Sequence, residues 1–255
     1  MLAFAQHLDL HLECSYNGQR AAAGNCMCAS PWQGARCNQL PEPRAGRTRD
    51  AAHYAELLGK TDAFIAVCDP SDLSQRADCT DGLAEALNRS GTVFVPLLDD
   101  PRQPGQVLPW RTRGIRFLSD NARVIFEHGV KIEALRNSTY SFGCHVSAHA
   151  LGLGRGDLAA AHNRRNLSVL GYGALWRMWR SDYMDGSCTH SQFRMGFRIN
   201  NCSDLEVAGL TISESGGDGM IVMSSRCRTL TPTLYACSLP LSSHTHTHCP
   251  LTLYA

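Results

Sequence analysis

Short runs in which apolar and polar residues alternate, each opened by Asn or Asp, recur through the second half of the chain. The first reads Asn121-Ala-Arg-Val124-Ile-Phe126 and continues Gly129-Val130-Lys-Ile132. The second is Asn166-Leu167-Ser-Val169-Leu-Gly171, then Ala174-Leu-Trp176, and the third Asp204-Leu205-Glu-Val207-Ala-Gly209, then Leu210-Thr-Ile212. A period of two puts every second side chain on one face of a strand, and the Gly and Asn/Asp positions between runs supply the turns. The opening residues lie 45 and 38 positions apart. That interval predicts two coils of about 20 residues each, stacked as a solenoid in which no coil buries its own apolar face and neighbours close the core between them. Val124, Phe126, Val130, Ile132, Leu167, Val169, Leu205, Val207, Leu210 and Ile212 are the expected inward residues. An antiparallel β-sandwich also uses short strands at even spacing. The repeating segments, however, lack hairpin-type Asn-Gly or Asp-Gly turns between their strands, which favours the stacked form.

Upstream, the period changes. Ala51 to Gly59 reads as a short helix with Ala51, Ala55 and Leu58 on one side, and Thr61 to Val67 as a strand. Thr80 opens a second helix in which Leu83, Ala84 and Leu87 recur at helical spacing, ending near Asn88 and Gly91. Thr92 to Val95 is a β-branched and aromatic strand closed by Pro96. Residues 38–50, with two prolines and no apolar periodicity, have the composition of an exposed linker. After Cys227 the chain carries no acidic residue and little alternation, so residues 227–255 are expected to form an irregular, low-complexity tail. A solenoid stopping near Val222 needs a partner or further coils over its last apolar rung.

Twelve cysteines give the N-terminal region a different logic. Four of them, Cys14, Cys26, Cys28 and Cys37, fall in a stretch with almost no aliphatic residues, which burial alone cannot fold. Disulfides in an oxidising compartment are one solution and a zinc knuckle is the other. Against zinc, Cys26 and Cys28 enclose one residue, fewer than usual at such sites, and no His follows nearby. The run Cys26-Met-Cys28-Ala-Ser-Pro31-Trp32-Gln-Gly34-Ala-Arg-Cys37, with the Asn17-Gly18 turn before it, resembles the C-terminal half of an EGF-like module, reduced from six cysteines to four. That resemblance implies a Cys28 to Cys37 bond, with Cys14 and Cys26 as the other pair, and an extracellular setting. It brings no calcium site, since Asp9 and Glu13 alone do not supply the acidic pattern. Met1 to Glu13 is read as a leader or its remnant, although it lacks a basic n-region. Cys68 and Cys79 are placed to close a loop before the second helix, and Cys144, Cys188 and Cys202 either pair or pack.

The helix and strand from Thr80 to Pro96 are similar to the cap that covers the first coil of pectate-lyase-like right-handed parallel β-helices. The stretches Ile199 to Ile212 and Gly216-Gly-Asp218-Gly219-Met-Ile-Val222 are similar to coils of that superfamily. The resemblance implies an all-β chain: an incomplete right-handed β-helix over 61–226, an N-terminal capping helix, a linker over 38–60 and an EGF-like module over 14–37. The superfamily holds polysaccharide lyases, hydrolases, epimerases, tailspikes and noncatalytic adhesins, so fold does not choose the activity.

Charge narrows the partners. Lys and Arg number 24 against 23 Asp and Glu, a formal charge of +1, so no global field draws a polyanion, and nucleic acid is not an expected partner. No apolar run approaches the length of a membrane span. The expected partner is a polysaccharide. Glu214 and Asp218, in Glu-Ser-Gly-Gly-Asp-Gly, and Asp182 are the candidate acids and bases for glycosidic chemistry, as hydrolase or lyase. Glu214 and Asp218 equally suit an ordinary corner, with Asp218 bonding backbone amides. Trp179, Arg180, Arg194 and Arg198 are the candidate sugar-binding residues: an outward Trp stacks on a pyranose ring and a guanidinium pairs with a uronate carboxylate. The same Trp and Arg residues also serve packing and surface ion pairs. Polygalacturonase-type hydrolases carry paired aspartates and Gly-His-Gly, and neither occurs in these coils. His244, His246, His248 and Cys249 alternate like metal ligands within a Ser/Thr-rich stretch that reads as low complexity. No cofactor or metal is expected. The rival reading, a noncatalytic adhesion or matrix protein with EGF-like and β-helical spacers, differs in lacking a groove where carboxylates and aromatics meet. A third reading is a truncated product with no activity of its own.

Overall fold

A computed structural model describes residues 12–42, 51–59, 63–68, 78–100, 102–103, 105–135, 157–180, 195–216, 219–235 and 251–254. The N-terminal stretch is held by covalent bonds around very little core. A 3-10 turn at Leu12–Cys14 leads to strands β1 (Gly18–Arg20) and β2 (Cys26–Cys28), which pair antiparallel. Disulfides join Cys14 to Cys26 and Cys28 to Cys37.

Beyond it come helix α1 (Ala51–Leu58), strand β3 (Ala63–Ile65), helix α2 (Thr80–Leu87) and strand β4 (Gly91–Val95). A small antiparallel pair, β5 (Leu98–Asp99) and β6 (Val107–Leu108), precedes β7 (Trp110–Thr112). The repeating part follows: β8 (Ile115–Phe117), β9 (Ala122–Phe126), β10 (Lys131–Ala134), β11 (Ala159–His162), β12 (Arg165–Leu170), β13 (Leu175–Arg177), β14 (Phe197–Asn200), β15 (Ser203–Ser213), β16 (Met220–Met223), β17 (Arg226–Tyr235) and β18 (Leu251–Tyr254).

These strands pair in parallel with partners far away in sequence, and three ladders result. Ladder A runs β3, β4, β9, β12, the first half of β15 and β17. Ladder B runs β7, β10, β13 and the second half of β15, again followed by β17. Ladder C runs β8, β11, β14, β16 and β18. The chain visits C, then A, then B, and returns to C one rung further on, which is a solenoid-like architecture of parallel sheets.

The repeat predicted from alternation is the repeat of the stack. Val124, Val169 and Val207 lie side by side in ladder A, and Ile132, Trp176 and Ile212 in ladder B. The opening residues Asn121, Asn166 and Asp204 all adopt left-handed backbone, with φ of 55°, 50° and 55°. Asn and Asp tolerate that conformation best among residues with a side chain. Asn166 Nδ2 donates to Asn121 Oδ1 at 3.0 Å, so the corners are tied rung to rung. All ten residues expected to face inward are buried in one core. At its centre Trp176 meets Phe117, Phe126 and Phe197 with ring centroids 6.4, 5.3 and 5.4 Å away.

Three expectations are corrected. Each 38- to 45-residue interval is one turn of three strands, not two coils of about 20: the chain crosses each ladder once per interval, and segments 136–156 and 181–194, outside the described residues, fall between ladders B and C. The stretch after Cys227 is not wholly an irregular tail. β17 extends ladders A and B and β18 extends ladder C, because Leu and Thr alternate there with strand-compatible shape. Pro232, the residue that obscures the pattern, falls where register breaks between Ala208 and Thr211, so no ladder hydrogen bond is asked of its missing N–H. Finally, the segment with linker composition is not simply exposed. Asn38 and Leu40 are buried, and within α1 the anchoring side chain is Tyr54.

The outer face of ladder A explains that burial. Phe94, Ile125, Leu170 and Ala208 point away from the stack and are covered by Cys14, Trp32, Cys37, Leu40 and Tyr54. Two buried carboxylates fasten the contact. Glu127 accepts from the Leu40 and Leu97 amides and the Tyr54 hydroxyl; Glu206 accepts from the hydroxyls of Tyr16 (2.6 Å) and Ser168 (2.7 Å). Beside the first strand of ladder C, α2 packs on β8, and a Cys68–Cys79 disulfide holds the segment before it. Leu83, Ala86 and Leu87 are its buried face, whereas Ala84, expected on that face, is exposed. None of the described helices is long and apolar enough to cross a membrane.

Candidate functional site

Strands of ladder C alternate so that Phe117, Ala159, Ala161, Phe197 and Ile199 face the core. Arg116, Ala160 and Arg198 are therefore the outward residues of three successive rungs, in direct register. Ala160 is itself 2% exposed, so the two guanidinium-bearing rungs close over the short middle one. Asp157, just before β11, is fully buried beside them. Its carboxylate receives Arg198 Nε at 2.6 Å and the Met195 amide at 3.1 Å. Burial raises the Asp157 carboxyl above the ordinary aspartate range, against the opposing pull of Arg198 and Arg116. Burial also lowers Arg116, with Asp157 opposing it and Arg198 adding to it. His162, last residue of β11, is pushed below the usual imidazole value, first by burial and then by the two arginines. The cluster thus holds two guanidiniums and a neutral-leaning imidazole against one buried carboxylate, an arrangement suited to an oxyanion.

Ladder B presents a second group. Arg111, Glu133 and Arg177 are outward and in register, with Arg111 Nε 3.7 Å from Glu133. Arg177 Nε bonds Glu214 at 2.9 Å, and Glu214 itself sits at a left-handed corner with φ of 55°. The Arg177 guanidinium lies over the Trp179 ring, 4.7 Å from its centroid. Trp179 is only partly buried, packs against the core and donates its Nε1–H to the Ala134 carbonyl at 2.6 Å. Arg180 is half-buried, and that burial lowers its pKa.

Of the residues singled out from sequence, Trp179 and Glu214 meet through Arg177, and Arg198 stands in the ladder C cluster. Asp182, Arg194 and Asp218 lie outside the described residues, as do the histidines at 244, 246 and 248. Arg116, Asp157 and His162 were not anticipated. Alternation in Ile115-Arg116-Phe117 marks an outward Arg, but its neighbours come from strands some 40 residues away. Among the described residues no group of His, Cys, Asp or Glu has the makings of a metal site. No protein-family model, curated protein or solved structure matches the chain.

Proposed function

We propose that this chain is a right-handed parallel β-helix with a reduced EGF-like module, and that it recognises an acidic polysaccharide outside the cell. The observation that carries the reading is the Arg116, Ala160, Arg198 row with His162 two residues along the middle strand from Ala160. A uronate carboxylate brought to the outer edge of this row meets two guanidiniums, the planar recognition for which Arg is suited. The disulfides agree with an oxidising compartment. Recognition is favoured over cleavage because Glu214 is engaged by Arg177 and Asp157 is sealed under Arg198, so neither carboxylate is presented for proton transfer. Asp182 and Asp218 keep the hydrolase or lyase reading as its alternative.

The test is calorimetric binding of oligogalacturonate to the full chain. Wild type is expected to bind, and Arg116→Gln to lose about tenfold, the worth of one hydrogen bond to a charged group. A bound carboxylate also raises the His162 pKa, which NMR of the imidazole reads and which a merely structural Arg116 would not affect. Equal affinity in the variant, with an unmoved His162, sinks the reading. Release of reducing ends or unsaturated products by wild type and not by Asp218→Asn decides for cleavage.

A further inference from the structure

The corner where the chain turns from ladder C into ladder A carries a second feature, on the opposite flank of those strands from Asp157. A groove of about 540 Å³ opens there, lined by Asn163, Arg165, Asn201, Ser203, Ser224 and Arg226 among others. Arg165 and Arg226 are exposed, and no described residue forms an ion pair or hydrogen bond with either guanidinium. Register sets their spacing: Arg165 pairs with Ser203, and Ser203 with Arg226. The two arginines are thus two rungs apart, roughly 9.6 Å along the stack at ~4.8 Å per rung, with only a serine between them.

The floor is rigid and polar. Asn163, Asn201 and Ser224 all hold left-handed backbone, with φ of 55°, 52° and 47°, and Asn201 Nδ2 donates to Asn163 Oδ1 at 2.7 Å. Asparagine and serine side chains offer both donors and acceptors, the complement of sugar hydroxyls. The one carboxylate of the groove, Asp204, is exposed at its rim. No aromatic side chain lines it, so there is no platform for stacking a nucleobase.

We infer that this corner groove binds an acidic glycan lying along the stack axis, with Arg165 and Arg226 holding two successive anionic substituents. The site is separate from the ladder C row and does not depend on it. Carboxylate and sulfate-ester substituents share the required chemistry, and two probes tell them apart.

The experiment measures binding of oligogalacturonate, a heparin-derived oligosaccharide, a neutral oligosaccharide and single-stranded DNA to the full chain. Variants are Arg165→Gln with Arg226→Gln, the same pair changed to Lys, and Asp204→Asn. At least one acidic glycan is expected to bind with steep salt dependence and the neutral one not to bind. The double Gln variant loses about tenfold or more, the double Lys variant recovers part of the loss, and Asp204→Asn binds tighter. Circular dichroism of each variant reports an intact fold. The inference is overturned by no acidic-glycan binding, by unchanged affinity in the double Gln variant, or by DNA outcompeting both glycans. A loss confined to Arg116→Gln overturns this groove and leaves the ladder C row standing; a loss confined to the Arg165/Arg226 pair does the reverse.

Discussion

A buried Asp beside an Arg poses a question that geometry alone does not answer: whether burial or pairing governs its proton. At Asp157 the two act in opposite directions, and burial is the larger, so its folded pKa stands above the unfolded one. A raised carboxyl binds a proton more readily in the folded state than in the unfolded state. The stability it contributes is therefore present below the ordinary value near 3.8 and is lost as pH rises from there through the folded value. Asp157→Asn cannot titrate but keeps the shape. Measured by urea unfolding at a series of pH values, wild type is expected to lose ground to the variant as pH climbs above about 4. The opposite trend means that the Arg198 contact dominates and that the pair is a net stabiliser. Thiols follow the same physics: burial, with Cys202 adding to it, pushes Cys227 up to about 11, so it is nearly all thiol at neutral pH.

Elements were legible to the degree that their period is local. Asn121, Asn166 and Asp204 were recognisable because the left-handed corner of these three rungs selects Asn or Asp, and the valines behind them because alternation survives without knowledge of the partner strand. What adjoins the strand faces was not legible. Parallel pairing brings Arg116 beside Ala160 and Ala160 beside Arg198 with about 40 residues of chain between each pair, and no local pattern encodes that meeting. Helix α2 shows the limit on a smaller scale. Its apolar residues allow Ala84 or Ala86 to face inward, and it is Ala86 that is buried, on the helix whose start is tied to the preceding chain by Cys68–Cys79. There Gly82 approaches the chain so closely that a Cβ would stand 1.9 Å from the Val67 carbonyl oxygen. Intrinsic propensity says Gly82→Ala should gain about 1 kcal/mol; overpacking against backbone costs typically 1–3 kcal/mol or about that. Thermal unfolding is expected to show a lower Tm for Gly82→Ala. A raised Tm requires that the Val67 segment move aside freely.

At the scale of the molecule, the covalently crosslinked module and the stack share one buried surface. Phe94, Ile125, Leu170 and Ala208 form an outward apolar row that solvent would otherwise wet, and Trp32 sits edge-on to Phe94 with centroids 5.1 Å apart. Apolar area alone holds two bodies together without fixing their alignment, whereas a buried carboxylate needs its donors in place. Glu206 is 3% exposed and takes hydroxyls from both sides, Tyr16 of the module and Ser168 of ladder A, with Arg228 Nε 3.5 Å away. Residues 190 positions apart thereby share one hydrogen bond of 2.6 Å. A module merely tethered to the stack would unfold on its own and feel nothing from residue 206. A docked one unfolds with it, and Tyr16→Phe and Glu206→Gln interact energetically. The double-mutant cycle is expected to give a coupling of about 1 kcal/mol or more, in the range for residues in one buried network, within a single unfolding transition seen alike by Trp fluorescence and far-UV circular dichroism. Additive single effects, or two resolved transitions, would make the module an appendage and return Phe94, Ile125 and Leu170 to the status of a surface awaiting some other cover.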